Sequence, residues 1–263
     1  MSHQLRGFIM KVITKVLFAI YGLFISMTTS LAAYPTRNTL PTINTNTGLD
    51  EFWDFLNGAD GTAFNEVTTG AATAGVAFTG STPYYPGAER IGVHTVGDYS
   101  AFITNGVIGF GTVSASLNFQ TRAKILTLSN GSDAFKLKFG FSTTLDFISP
   151  PVFESTFIYD SSLSSNWICF TRSSAAGVSD TFATTVPVTT DDTYYKIYIT
   201  PQIIYYYINN VLAHTYALDS TLVTGGVKFG AAAQKTLGNA AVLRTDFDAV
   251  KLQQTFITPR AFE

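Results

Sequence analysis

Between Phe135 and Phe141 every second residue is bulky and apolar: Phe135, Leu137, Phe139 and Phe141 alternate with Lys136, Lys138 and Gly140. A β-strand turns successive side chains to opposite faces, so this spacing puts four apolar groups on one side of a sheet and two lysines on the other. A helix would scatter the same residues around its circumference. Short runs of the same kind recur at 76–78, 90–94, 100–103, 111–119 and 155–159, and Trp167-Ile168-Cys169-Phe170 reads as an apolar strand. Residues 194–200, 203–208 and 211–216 form the clearest hairpins. Asn209-Asn210 suits a two-residue turn, because asparagine tolerates positive φ better than most residues. Closing strands are predicted at 226–230 and 243–252. At least ten strands between 76 and 252, with no convincing helix among them and no fixed-period repeat, predict an all-β antiparallel sandwich or barrel.

Composition narrows the function classes. Hydrophobic residues make up 46% of the 263 but charged residues only 13%, about half the usual share. Coiled coils, charged tails and the common disordered compositions are excluded. A net charge of −2 offers no basis for phosphate neutralisation, so no nucleic-acid partner is expected. The single Cys169 cannot make an intramolecular disulfide or a thiolate metal site, and its apolar strand predicts a buried, inert thiol.

The N-terminus is different in kind. Lys11 and Lys15 precede a ten-residue, largely apolar run, Val16 to Ile25, which leads into a polar stretch ending in Leu31-Ala32-Ala33. These are the parts of a secretory signal, and the run is short for a membrane span of roughly 20 residues. Residues 1–33 are therefore read as a signal peptide or, if retained, a membrane anchor. Removing them takes away Arg6, Lys11 and Lys15 and leaves 13 bases against 18 acids, a net charge of −5. Residues 34–61 read as a linker or arm, within which 49–56 suits a short helix or an edge strand. The sandwich occupies 62–257, and 258–263 form a C-terminal tail.

Several of these segments carry a resemblance. Asp191-Asp192-Thr193-Tyr194-Tyr195-Lys196-Ile197 is an acidic turn before an aromatic strand, and Tyr207-Ile208-Asn209-Asn210-Val211 is an aromatic-x-Asn hairpin with Asn210 where Gly is usual. A Gly-led strand, Gly226-Val227-Lys228-Phe229-Gly230, precedes a final strand containing Asp246-Phe247-Asp248. With the stripe at 135–141, this resembles the concanavalin A-like (laminin G-like) jelly roll of bacterial secreted proteins and of phage tail, fibre and capsid-surface proteins. The likeness is loose over 76–252 and better over 190–252. It implies a fold rather than an activity.

Candidate sites follow from chemistry. Glycoside hydrolysis needs two carboxyls about 5–5.5 Å apart for retention or 6.5–9.5 Å for inversion. The one-strand acid pattern of glycanases with this fold is missing, and Glu154 and Asp160 stand roughly 20 Å apart along a strand. Asp246 and Asp248 are the one pair whose spacing on a strand face, about 7 Å, could serve, and structural acids are the simpler reading. His94 and His214 have no nucleophile elbow nearby. No cofactor is expected, although loop carbonyls with Asp191 or Asp192 could hold one structural Ca2+.

Binding asks less of the residues. Aromatic faces flanked by amides and hydroxyls recognise sugars, and Tyr84, Tyr85, Trp167 and Tyr206 are the candidates; Tyr206 must face opposite to Tyr205 and Tyr207. The expected function is a non-enzymatic, lectin-like adhesion or assembly module, exported to a cell surface or carried on a virion. Its expected partners are a surface polysaccharide or other surface proteins, with avidity from homo-oligomerisation. The alternatives are a polysaccharide-degrading enzyme of the same fold and a purely structural capsid or appendage subunit.

Overall fold

In the computed structural model of the protein, the described residues are 48–53, 64–77, 88–104, 108–109, 114–173, 178–218, 226–239 and 242–256. All belong to the unit Pro41–Glu263. They form strands and turns and contain no helix. The readings of 1–33, of Tyr84 and Tyr85, and of the tail at 258–263 fall outside them.

One sheet is built from β1 (Gly48–Trp53), β3 (Thr73–Ala77), β4 (Ala88–Val93), β7 (Ser114–Ile125), β12 (Thr193–Ile199), β13 (Ile203–Ile208), β14 (Val211–Ala217) and β16 (Leu243–Phe256). Its order is β14-β13-β12-β7-β16-β4-β3, with β1 also paired to β16. The second sheet holds β2 (Phe64–Thr69), β5 (Tyr99–Thr104), β6 (Ile108–Gly109), β8 (Ala134–Ser142), β9 (Phe153–Asp160), β10 (Asn166–Ser173), β11 (Val178–Pro187) and β15 (Gly226–Leu237). Its order is β11-β10-β9-β8-β15-β5-β2, with β6 on β15. Every pairing is antiparallel. Of the sequence segment 49–56, residues 49–53 lie in the strand β1 rather than in a helix, and 54–56 fall outside the described residues. The two antiparallel sheets make the sandwich that the alternation predicts, in the architecture that the resemblance implies.

The period of two builds the core. Phe135, Leu137, Phe139 and Phe141 are all buried, as the spacing at 135–141 requires. Phe139 meets Tyr195 of the opposite sheet at a ring separation of 4.8 Å and Phe247 at 5.6 Å, both edge to face. Phe119–Phe141 and Phe102–Phe247 join the sheets in the same way at 5.8 and 5.1 Å. Edge-to-face pairs add about 0.5–1.5 kcal/mol each beyond the area they bury. Gly140 sits at φ 135° where the sheets approach closely: a Cβ there would lie 2.5 Å from Ser155 O and 2.7 Å from Ile197 Cδ1.

The hairpin turn is the one the sequence implies. Asn209 and Asn210 have φ 50° and 64°, the doubly positive geometry of a two-residue primed turn. At one edge of the sandwich β11 and β14 meet. The His214 ring stacks on Phe182 at 4.1 Å and 7°, while its Nε2 lies 2.8 Å from Asp180 Oδ2.

Candidate functional site

The two outer faces of the sandwich are unlike each other. On the second sheet, ion pairs and a loop occupy the outward side of β8 and β9. Lys138 Nζ lies 3.2 Å from Glu154 Oε1 and Lys136 Nζ 3.0 Å from Asp160 Oδ2. Burial raises the Glu154 pKa, outweighing the Lys138 ammonium and the Thr156 hydroxyl that favour the charged form. Leu145, buried against Ala101 and Ala232, carries the 143–152 loop across this face. Phe147 then sits 5.0 Å from Lys138 Nζ and packs edge to face on Tyr99.

The first sheet's outer face is tyrosine-rich. Along β12, Thr193, Tyr195, Ile197 and Ile199 are buried, while Tyr194, Lys196 and Tyr198 are half-buried on the other side. Along β13, Ile204, Tyr206 and Ile208 point inward and Ile203, Tyr205 and Tyr207 outward. Antiparallel register sets Tyr198 directly opposite Tyr205, and Lys196 opposite Tyr207. The Tyr198 and Tyr205 rings lie 6.0 Å apart with planes 28° from parallel, and Tyr205 and Tyr207 lie 6.4 Å apart at 25°. Lys196 Nζ is 5.5 Å from the Tyr198 ring and 5.2 Å from that of Tyr207.

The same rows continue into amides. Tyr198 faces Asn118 of β7, and Asn118 faces Gln253 of β16, which in turn faces Asp50 of β1. Asn118 Nδ2 donates to Gln253 Oε1 at 3.0 Å, and Gln253 Nε2 to Asp50 Oδ2 at 3.2 Å. The Tyr194 hydroxyl donates to Gln120 Oε1 at 2.6 Å, and burial raises its pKa. With strands about 4.8 Å apart, Tyr205, Tyr198, Asn118 and Gln253 span about 14 Å in one line. Aromatic surface gives way to hydrogen-bonding groups along it.

The sequence-derived candidates are placed differently. Trp167 is 2% exposed and lies in the core against Phe139, at 5.5 Å, and Tyr195, at 4.9 Å. The polar loop before it ends at Ser165, and β10, which begins at Asn166, turns the indole inward. Tyr206 is fully buried, and its hydroxyl bonds to Ser155, Thr171 and the Phe170 carbonyl. Both are corrected from surface to core. The alternation in Tyr205-Tyr206-Tyr207 holds with the opposite phase: Tyr205 and Tyr207 face solvent.

The acids are engaged by cations. Asp246 forms a two-pronged pair with Arg90, both contacts at 2.6 Å. Asp248 sits at a bulge in β16 and faces Arg122 Nη1 at 3.7 Å. Arg122 also holds the Asp192 carboxylate, whereas Asp191 is exposed. Among the described residues no group of three or more His, Cys, Asp or Glu could hold a metal ion. Cys169 is buried, which pushes its thiol pKa far up.

Solved structures share this architecture. Bacillus licheniformis β-glucanase superposes with a TM-score of 0.56 over 77% of this chain and 97% of its own, at 11% identity. The catalytic domain of an endo-1,3-β-glucanase (laminarinase) from Thermotoga petrophila gives 0.53 over 78% and 96%, at 11%. The Emp46p carbohydrate recognition domain gives 0.51 over 76% and 93%, at 9%. No family model matches the chain, and no curated protein matches it. The fold is a concanavalin A-like jelly roll.

Proposed function

We propose that this concanavalin A-like sandwich is a non-enzymatic glycan-binding module, and that it holds its ligand on the tyrosine face of β12 and β13. The observation that carries the reading is the cluster of near-parallel Tyr198, Tyr205 and Tyr207 rings, from which Tyr205 and Tyr198 run in line into the amides of Asn118 and Gln253. Sugar rings pack C–H surface on aromatic groups and direct their hydroxyls to amides, and this face offers both in one line. The fold neighbours include a carbohydrate recognition domain as well as glucanases, which supports a glycan ligand without choosing between binding and hydrolysis. Binding is favoured because Asp246, Asp248, Glu154 and Asp160 are each held by Arg or Lys. A shallow face of this kind gains strength from repetition, so the reading includes multivalent display by several copies at a cell or virion surface.

Affinity electrophoresis against a panel of polysaccharides tests it. Retardation of the native protein by at least one polymer, reduced by Tyr198→Ala, Tyr205→Ala or Tyr207→Ala with no release of reducing sugar, is the expected result. Retardation untouched by all three substitutions, or sugar release, overturns it.

A further inference from the structure

We infer that the ligand of the tyrosine face is an acidic glycan, one carrying carboxylate or sulfate groups along its chain, and that Lys196 is the group that selects it. This rests on the glycan-binding reading above and adds its charge class.

Lys196 differs from three other cations on its face. Arg90 is committed to Asp246, Arg122 to Asp192 and Asp248, and Lys251 to Asp50. Among the described residues no carboxylate pairs with Lys196, whose Nζ rests between the rings of Tyr198 and Tyr207. It stands at the middle of the platform, with Tyr207 opposite on one side and Gln120 opposite on the other. A ligand that spans Tyr198, Tyr205 and Tyr207 passes beside this ammonium. A neutral chain would meet it without a counter-charge, while an acidic chain would supply one. Ring faces hold a cation only weakly at exposed sites, so Lys196 is free to exchange them for an oxyanion.

A second observation points to a ligand at the same place. Asn118, beside Tyr198 and 9% exposed, gives its Nδ2 to Gln253, but its Oδ1 has no partner among the described residues. A buried amide oxygen without a donor is costly, and a ligand hydroxyl would satisfy it. Together the two groups describe a sugar acid: an oxyanion toward Lys196 and a hydroxyl toward Asn118.

Titration calorimetry on the full chain tests this with polygalacturonate and alginate, each beside its own carboxyl-reduced form. The acidic polymers are expected to bind about five-fold more tightly than their reduced forms at low salt, as a single exposed ion pair allows. That preference should vanish at high salt and in Lys196→Met, and persist in Lys196→Arg. Tyr205→Ala should weaken both forms alike. If acidic and reduced polymers bind equally and Lys196→Met changes nothing, the charge inference fails and the platform reading stands. If neither polymer pair nor any neutral polysaccharide binds, the glycan reading fails and takes this inference with it.

Discussion

Tyr206 of β13 and Thr171 of β10 belong to opposite sheets, yet the phenol oxygen and Thr171 Oγ1 lie 2.7 Å apart in the middle of the core. The same phenol donates to the Phe170 carbonyl at 2.8 Å and meets Ser155 Oγ at 2.9 Å. One buried hydroxyl therefore satisfies polar groups on β9 and β10 from across the sandwich. Tyr206→Phe keeps the ring and strands those partners, and we predict a loss of about 1–3 kcal/mol in urea unfolding. Polysaccharide retardation should be unchanged, because Tyr206 does not reach the outer face.

Lys235 and Asp133 form a buried ion pair at 2.7 Å, with the lysine side chain fully enclosed. Lys235→Met removes one charge and leaves the other in a low-dielectric site, which costs about 3–5 kcal/mol. Lys251→Met at the more exposed pair with Asp50 should cost under about 1 kcal/mol. Denaturant midpoints of the two variants check the contrast.

Stability should fall on the acid side. Burial alone would raise the Asp98 pKa, but the backbone N–H groups of Thr95, Ala71 and His94 donate to its carboxylate and hold it below the ordinary range. Asp160 is lowered in the same way by Ser162 and Lys136, against its own burial. The unfolded chain takes up protons at these sites first. Their contribution is therefore full above the ordinary aspartate pKa and drains as pH drops through the folded values. Glu154 runs the other way: its raised pKa costs stability above the folded value, and acidification relieves that cost. We predict that Asp98→Asn lowers Tm at neutral pH and that the difference from the native protein shrinks below about pH 4, read by thermal melts across pH.

The β11–β14 edge depends on His214. His214→Ala deletes both the stack on Phe182 and the contact with Asp180, and should cost about 1 kcal/mol. Faster amide exchange in β11 and β14, with β8 and β9 unaffected, is the signature.

How far these features were readable follows from particular residues. The stripe at 135–141 and the turn at Asn209-Asn210 were legible because each has one physical solution: period two with lysines between, and two adjacent residues that accept positive φ. The site was half legible. In β12 the inward set Tyr195, Ile197 and Ile199 stands apart from the outward Tyr194, Lys196 and Tyr198. In β13 all six residues are Ile or Tyr, so its own pattern carries no phase. The signal lay in the tight turn, where Thr200 N–H donates to the Ile203 carbonyl and sets Ile199 opposite Ile204. That pairing carries the β12 phase into β13 and sends Tyr205 and Tyr207 outward. Trp167 misleads for the opposite reason: a polar loop ends at Ser165, directly before the strand that buries the indole.

The most direct measurement is a heteronuclear NMR titration of the protein with a soluble fragment of whichever polysaccharide retards it. The account predicts shift changes gathered on Tyr198, Tyr205, Tyr207, Lys196, Asn118 and Gln253. Changes gathered instead on the opposite face, around Lys138, Glu154 and Phe147, would contradict it.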